Sequence, residues 1–346
     1  MAESAIVQTS TDCFKVFIGP FAEVKDQEND EELLYKPDFW NFLDERQFVN
    51  NFFKANLVLT LNRQEFNELL LKMPTDQSDG NIHWNASDYE NFKLQFAWIQ
   101  SKIKMGQLEK ALPITVQNGK FFNHLNKFKI IKNILQKSSN QYLYSFWNSS
   151  EGFIGFTPEV LAHKKKNSFE TMALAGTWSK KKQTTVNFSD VKIKNEHDIV
   201  VNDILNQLKN ETLIEKYETQ VLELEYLFHL KTLFKYQMPA TNDFMQIVKK
   251  IHPTAALGLF PRNIDLFSEF KNFVLQNHRK NFGAPFGFIS KNESFFVVAI
   301  RNIFWRDDKI SIYSGCGVTS GSLLEAEWQE LEAKRNSVKE TFGLNL

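Results

Sequence analysis

Apolar residues recur at helical spacing in three stretches of the chain and cluster at strand spacing in several others. Near the C-terminus, in LLEAEWQELEAKRNSVKETF, Leu324, Trp328, Leu331 and Val338 share one stripe of a 3.6-residue period. Glu327, Glu330 and Lys334 flank that stripe on one side. Glu325, Gln329, Glu332 and Asn336 fall on the other, the expected solvent side. Weak i,i+4 pairs on a solvated face would account for the first trio as well as a ligand would. The stretch DVKIKNEHDIVVNDILNQLKN repeats the arrangement: Ile193, Val200, Ile204 and Leu208 form a stripe, His197 lies within it and Glu196 beside it. A third amphipathic helix, NFKLQFAWIQSKIKMGQLEKAL, is predicted to end near Gly106.

Strand patterns fill much of the remainder. ALPITV is one candidate, QYLYSFWNSSEGFIGFTPEVLAHKKKNSFETMALAGT alternates apolar runs with turn residues, and SFFVVAIRNIFWRDDKISIYSG predicts a hairpin around Asp307 and Asp308. Because several strands follow one another directly, the pattern favours an α+β fold over a doubly wound parallel sheet. Residues 1–94 mix short apolar runs with acidic, Asn-rich stretches and offer no chemistry. The lysine clusters HKKKN and SKKKQ read as solvated turns.

Composition narrows the partners. The 346 residues are 42% hydrophobic and 24% charged, enough to bury a sizeable core as one large domain or two smaller ones. Thirty-three Phe against 8 Tyr and 7 Trp read as core filler rather than a base-stacking surface. With 41 basic and 41 acidic residues the formal charge is zero, so no broad electrostatic footprint points to nucleic acid or an anionic membrane. Any acidic ligand must be held locally. Cys13 and Cys316 make neither a metal cluster nor a disulfide framework, and neither a leader nor a long apolar span is visible. The expected location is the cytoplasm.

Two helices distant in sequence thus each present a carboxylate at the edge of a buried face. If they meet, Mg²⁺ is a plausible guest, since it takes one or two protein carboxylates together with water and an anionic ligand. Two separate surface glutamates are the alternative. ALAGT (173–177) and SGCG (314–317) carry small residues that would let an oxyanion approach main-chain amides, or are plain turns. His252, in IHPTAALGLFPR, reads as a structural hydrogen-bonder or a catalytic group.

The motifs FTPEVL, ALAGT, NEHDIVV, IHPTAALGLFPR, FGAPFGF, VVAIRN, SGCGVTSGS and EAEWQELEAK occur in this order. As a series they resemble the chorismate-utilising enzymes: isochorismate synthases, salicylate synthases, and the large chains of anthranilate and aminodeoxychorismate synthases. The resemblance covers residues 95–346, the chorismate-binding catalytic region. Residues 1–94 match only as a variable part of the same fold. It implies antiparallel β-sheets packed face to face with helices outside. By resemblance Glu196 and Glu330 match the Mg²⁺ ligands with Glu327 close by. The ion would bind the C1 carboxylate, Arg301 and Lys334 match residues that grip the ligand's other carboxylate region, Gly315 and the turn Ala175, Gly176, Thr177 offer backbone amides, and His252 matches a histidine lining the pocket.

Lys110, in GQLEKALPIT, matches the lysine found where water is the nucleophile, and Glu159, of TPE, matches the general acid. As general base Lys110 must enter as the free amine, and Glu159 must hold its proton until the C4 hydroxyl departs. Ala175 stands where aminodeoxychorismate synthases commonly carry an attacking lysine. The resemblance therefore points to an isochorismate synthase, feeding menaquinone or siderophore synthesis, with Mg²⁺ as cofactor, chorismate as substrate and no glutaminase subunit. An anthranilate or aminodeoxychorismate synthase large chain, a salicylate synthase that goes on to eliminate pyruvate, and a non-catalytic chorismate-binding protein are the rivals. Two departures set the chain apart: Thr115 stands where an arginine is expected, after Pro113, and AGTW is followed by SKKK.

Overall fold

The computed structural model describes residues 3–24, 32–73, 82–122, 125–137, 140–180, 190–239 and 243–344. Seventeen strands join in one continuous antiparallel ribbon. From one end, Leu213–Lys216 and Gln220–Glu223 both pair with Leu227–Gln237, which leads through Ser168–Ser179, Val160–Lys165, Glu293–Val298 and Pro285–Ile289. The ribbon continues through Leu33–Tyr35, Phe52–Asn62, Cys13–Val24, Ser4–Ser10 and Tyr142–Trp147. It ends with Glu151–Thr157, Asn302–Arg306, Lys309–Gly315, Ile114–Phe121 and Ile82–Trp84. Strands from the first ninety-odd positions are thus threaded into the same sheet as the later ones, and the helix Tyr89–Lys104 spans the boundary at residue 94.

The ribbon folds back so that its halves face each other across an aromatic core. Phe153 meets Phe286 at 5.1 Å between ring centroids and Tyr144 meets Phe286 at 5.6 Å, although their strands lie far apart in the ribbon. The expected α+β architecture of face-to-face antiparallel layers is therefore present, with both layers cut from one sheet. The phenylalanine excess is explained here, since flat rings fill the space between two pleated surfaces.

Helices cover the outside. Tyr89–Lys104, Val191–Gln207, Phe244–Ile251 and Ile264–Lys271 pack over one core cluster, and Arg63–Leu71, Lys127–Leu135 and the end of Leu324–Phe342 over another. Asp88, Asp190, Asn126, Asp243 and Asn263 each accept a backbone N–H at a helix start, a cap worth about 1 kcal/mol apiece. No helix among the described residues is long and apolar enough to cross a membrane.

Two sequence expectations need correction. ALPITV is two strands: Lys110–Ala111 pairs with Leu259–Phe260, and Ile114–Phe121 pairs elsewhere, because Pro113 has no N–H to continue a ladder. In HKKKN, Lys164 is 4% exposed inside a strand, its ammonium pKa lowered by burial, and the turn begins only at Lys166. Most of SKKKQ lies outside the described residues.

Candidate active site

One cleft gathers residues from eight segments of the chain: Lys110, Glu159, Ala175, Gly176, Thr177, Glu196, His229, Arg301, Gly315, Gly317 and Lys334 all line it. The strand Ser168–Ser179 forms one wall. Its ladder with Leu227–Gln237 slips between Ala175, opposite Leu230, and Thr177, opposite His229, which leaves Gly176 as the extra residue of a bulge. Gly176 adopts φ +75°, and a Cβ there would come within 2.6 Å of Ile193 on the helix behind it. Only glycine allows the turn and the helix to approach this closely.

Lys110 and Glu196 meet across the cleft floor. Their Nζ and Oε1 atoms are 3.1 Å apart, with the lysine side chain 1% exposed. Gly317 fills the remaining space: a Cβ on it would overlap both Glu196 Oε1 and Lys110 Cε. Glu159 follows Pro158 at a strand connection and is 4% exposed. Burial pushes its carboxyl pKa up to about 8, against the opposing pull of Lys110 and Lys334. At neutral pH this acid keeps its proton.

Arg301 holds the opposite side with φ +54°, a left-handed conformation for a non-glycine residue at a site lining a cleft. Its Nη1 donates to Ser337 Oγ at 3.2 Å and its Nη2 lies 3.3 Å from His229 Nε2. Burial lowers the guanidinium pKa to about 10, so it remains charged at neutral pH. A guanidinium N–H can only donate, so His229 Nε2 accepts and its Nδ1–H is left to donate to Thr177 Oγ1 at 3.1 Å. Burial and then the charges of Arg301 and Lys334 hold the imidazole pKa well below its usual value, which fits this neutral tautomer. Lys334 donates to Gly315 O at 2.7 Å and pairs with Glu330 at 2.7 Å.

A family model described as chorismate binding enzyme matches residues 43–343. The chain belongs to the chorismate binding enzyme family. Isochorismate synthase MenF of Haemophilus influenzae is 33% identical over 259 residues, covering 70% of this chain and 58% of that relative. Isochorismate synthase MenF of Escherichia coli is 26% identical over 271 residues, covering 73% and 62%. The chain thus spans about 58% to 62% of the length of these two curated relatives. The fold is that of the solved Escherichia coli MenF, with a TM-score of 0.79 at 19% identity over 98% of this chain and 88% of that one. The putative 2,3-dihydroxybenzoate-specific isochorismate synthase DhbC of Bacillus anthracis matches with a TM-score of 0.80 at 18% identity, over 99% and 97%.

Within this family member two of the acids expected at a metal, Glu327 and Glu330, lie close enough to act on one another electrostatically. Glu327 is 1% exposed, and its pKa is raised by burial and then by Glu330. The charges of Glu327, Glu330 and Glu196 all act on Lys192 and on the buried Cys316 thiol. Each carboxylate has a lysine partner: Lys110 for Glu196, Lys192 for Glu327 at 2.6 Å, and Lys334 for Glu330. No group of three or more His, Cys, Asp or Glu among the described residues is gathered tightly enough to hold an ion by itself. The hard oxygen donors nevertheless fit Mg²⁺, which takes one or two carboxylates and completes its shell with water and an anionic ligand.

His252 does not line the cleft. It is 2% exposed and packed among the rings of Phe39, Phe42 and Phe48, and burial holds its pKa down to about 3. The apolar shell formed by residues 39–48 captures the ring as a core side chain. The histidine that does line the cleft is His229. LFHLKTLF looks like an ordinary half-buried strand, and only the bulged register opposite Thr177 brings that ring to the cleft. Glu327 and Glu330 are not among the lining residues; Gly317, of the SGCG stretch, and Tyr313, unassigned from sequence, are.

Proposed function

We propose that this chain is a cytoplasmic, stand-alone isochorismate synthase that converts chorismate to isochorismate with Mg²⁺. Lys110 takes a proton from water as its oxygen bonds to C2. Glu159 gives its proton to the C4 hydroxyl, which leaves as water while the ring double bonds shift. One water is added and one lost, so the product is an isomer. Arg301 and Lys334 hold the carboxylate region, and the Ala175–Gly176–Thr177 turn and Gly315 shape the close approach. When bound, Mg²⁺ supplies positive charge to the C1 carboxylate; Glu196 and Glu330 would hold it, with Glu327 nearby.

The observation that carries this reading is the buried Glu159, kept protonated at neutral pH in the same cleft as Lys110. The isochorismate synthase names of the relatives support it. The MenF relatives, of which the Escherichia coli protein is described as menaquinone-specific, favour menaquinone synthesis over a siderophore pathway.

An ammonia-using rival would require a glutaminase partner, and Lys110 and Ala175 argue against it. Chorismate and Mg²⁺ with and without ammonium, analysed by mass, separate the outcomes. Isochorismate in both supports the proposal, an amino product only with ammonium supports the rival, and salicylate indicates onward loss of pyruvate. Binding without turnover identifies a non-catalytic chorismate-binding protein. Lys110→Ala and Glu159→Ala are each expected to abolish turnover while chorismate still binds.

A further inference from the structure

The segment carrying Lys110 is held in place by backbone partners on both sides. Glu109 N–H donates to Phe260 O at 2.8 Å, Leu112 N–H to Gly258 O at 3.1 Å, and Ala111 exchanges two backbone bonds with Val318. Then Pro113 interrupts the pattern. On either side of it the carbonyl of Leu112 and both polar backbone groups of Ile114 are met by side chains. Gln95 Nε2 donates to Ile114 O at 2.9 Å, and Ile114 N–H donates back to Gln95 Oε1 at 3.2 Å, so a side-chain amide takes the part of a neighbouring strand. Gln276 Nε2 donates to Leu112 O at 3.0 Å and to Gln95 Oε1 at 2.9 Å. Arg279 Nη1 donates to Gln276 Oε1 at 3.0 Å.

All three side chains are 0% exposed. Arg279 lies against Phe39, its Cζ 3.3 Å from the ring centroid, its Nη2 has no hydrogen-bond partner, and it makes no ion pair with an acid among the described residues. A buried guanidinium without a carboxylate is costly, as is each buried amide that loses a partner. The network nevertheless converges on two residues that follow Lys110 by two and four positions.

We infer that Gln95 and Gln276 are positioning residues for Lys110: they fix the backbone on either side of Pro113, and so the place of its amine against Glu196 and the acid Glu159. This rests on the isomerase reading above. Reactions between groups held at set distances lose roughly 100-fold in rate for a displacement of about 1 Å, so a small backbone shift is enough to register.

The test measures kcat and KM for chorismate, together with the melting temperature, for Gln276→Leu, Gln276→Glu, Gln95→Leu and Gln95→Glu in the full chain with saturating Mg²⁺. Gln276→Glu keeps the acceptor for Arg279 but loses the donor to Leu112 O, so it guards against simple unfolding of the leucine variant. In both Gln276 variants kcat per folded enzyme is expected to fall roughly 10- to 100-fold while KM stays within about twofold. At about pH 6 a neutral glutamic acid at position 95 can still donate to Ile114 O and accept from its N–H. Gln95→Glu should therefore recover turnover there that Gln95→Leu lacks. Unchanged kcat in folded variants with only a lowered melting temperature overturns the inference and leaves the glutamines purely structural. Wild-type protein that makes no isochorismate overturns the isomerase reading instead.

Discussion

The Nζ of Lys110 stands 3.1 Å from Oε1 of Glu196, joining the strand before Pro113 to the helix Val191–Gln207. One carboxylate therefore serves two assignments at once, partner of the proposed base and ligand of the proposed cation. Glu196→Gln should weaken Mg²⁺ binding by at least about 10-fold and also lower kcat when the metal is restored to saturation. Glu330→Gln should weaken Mg²⁺ binding while leaving the Lys110–Glu196 pair in place. Isothermal titration with Mg²⁺, followed by kcat at saturating metal, separates the two.

Glu159 makes the chain sensitive to alkali. Its carboxyl is pushed up to about 8 from an ordinary value of 4.5 by burial, so it keeps its proton below that pH and loses it above. kcat/KM should fall as pH rises through about 8. Stability follows the same sign: the folded state holds this proton more tightly than the unfolded chain, so the contribution is fully present below 4.5 and is lost as pH rises through about 8. Glu159→Gln should abolish that part of the pH dependence in chemical denaturation, at the cost of turnover.

The two histidines should behave oppositely. His229→Ala removes the acceptor for Arg301 and the donor to Thr177. The loss of about 1–2 kcal/mol should appear as roughly a 5- to 30-fold rise in KM with a modest change in melting temperature. His252→Ala empties a site among three phenylalanines and should cost about 2–4 kcal/mol of stability, leaving KM of the folded enzyme unchanged. Steady-state kinetics and denaturant melts on both variants check the contrast.

Gly317 is expected to tolerate no side chain. A methyl group there would occupy the space of Glu196 Oε1 and Lys110 Cε, so Gly317→Ala should leave the secondary structure intact and reduce kcat by roughly 100-fold or more. Circular dichroism together with kcat tests this.

Much of the site was legible before the fold because its parts sit on strong local patterns. The stripe of Leu324, Leu331 and Val338 placed Glu327, Glu330 and Lys334 on one flank, and the stripe of Ile193, Val200 and Ile204 did the same for Glu196. Both helices are where the periodicity put them. Turn chemistry likewise announced Gly176. What escaped depends on contacts between segments far apart in the chain. His229 reaches the cleft through a one-residue slip against Thr177, and strand register has no local signature when the flanking residues are all apolar. His252 sits in a motif rich in recognisable residues, but its surroundings come from positions 39 to 48, which share no pattern with it. The continuity of the two layers was equally invisible, since it requires Ser4–Ser10 to sit between Cys13–Val24 and Tyr142–Trp147.

The most direct test of water addition at C2 is to incubate the protein with chorismate and Mg²⁺ in water labelled with heavy oxygen, and to locate the label in the product by mass spectrometry and NMR. The account predicts isochorismate carrying one labelled oxygen, at the C2 hydroxyl, and no turnover in Lys110→Ala. Isochorismate without label, a labelled product from the Lys110→Ala protein, or chorismate recovered unchanged from the wild type would contradict it.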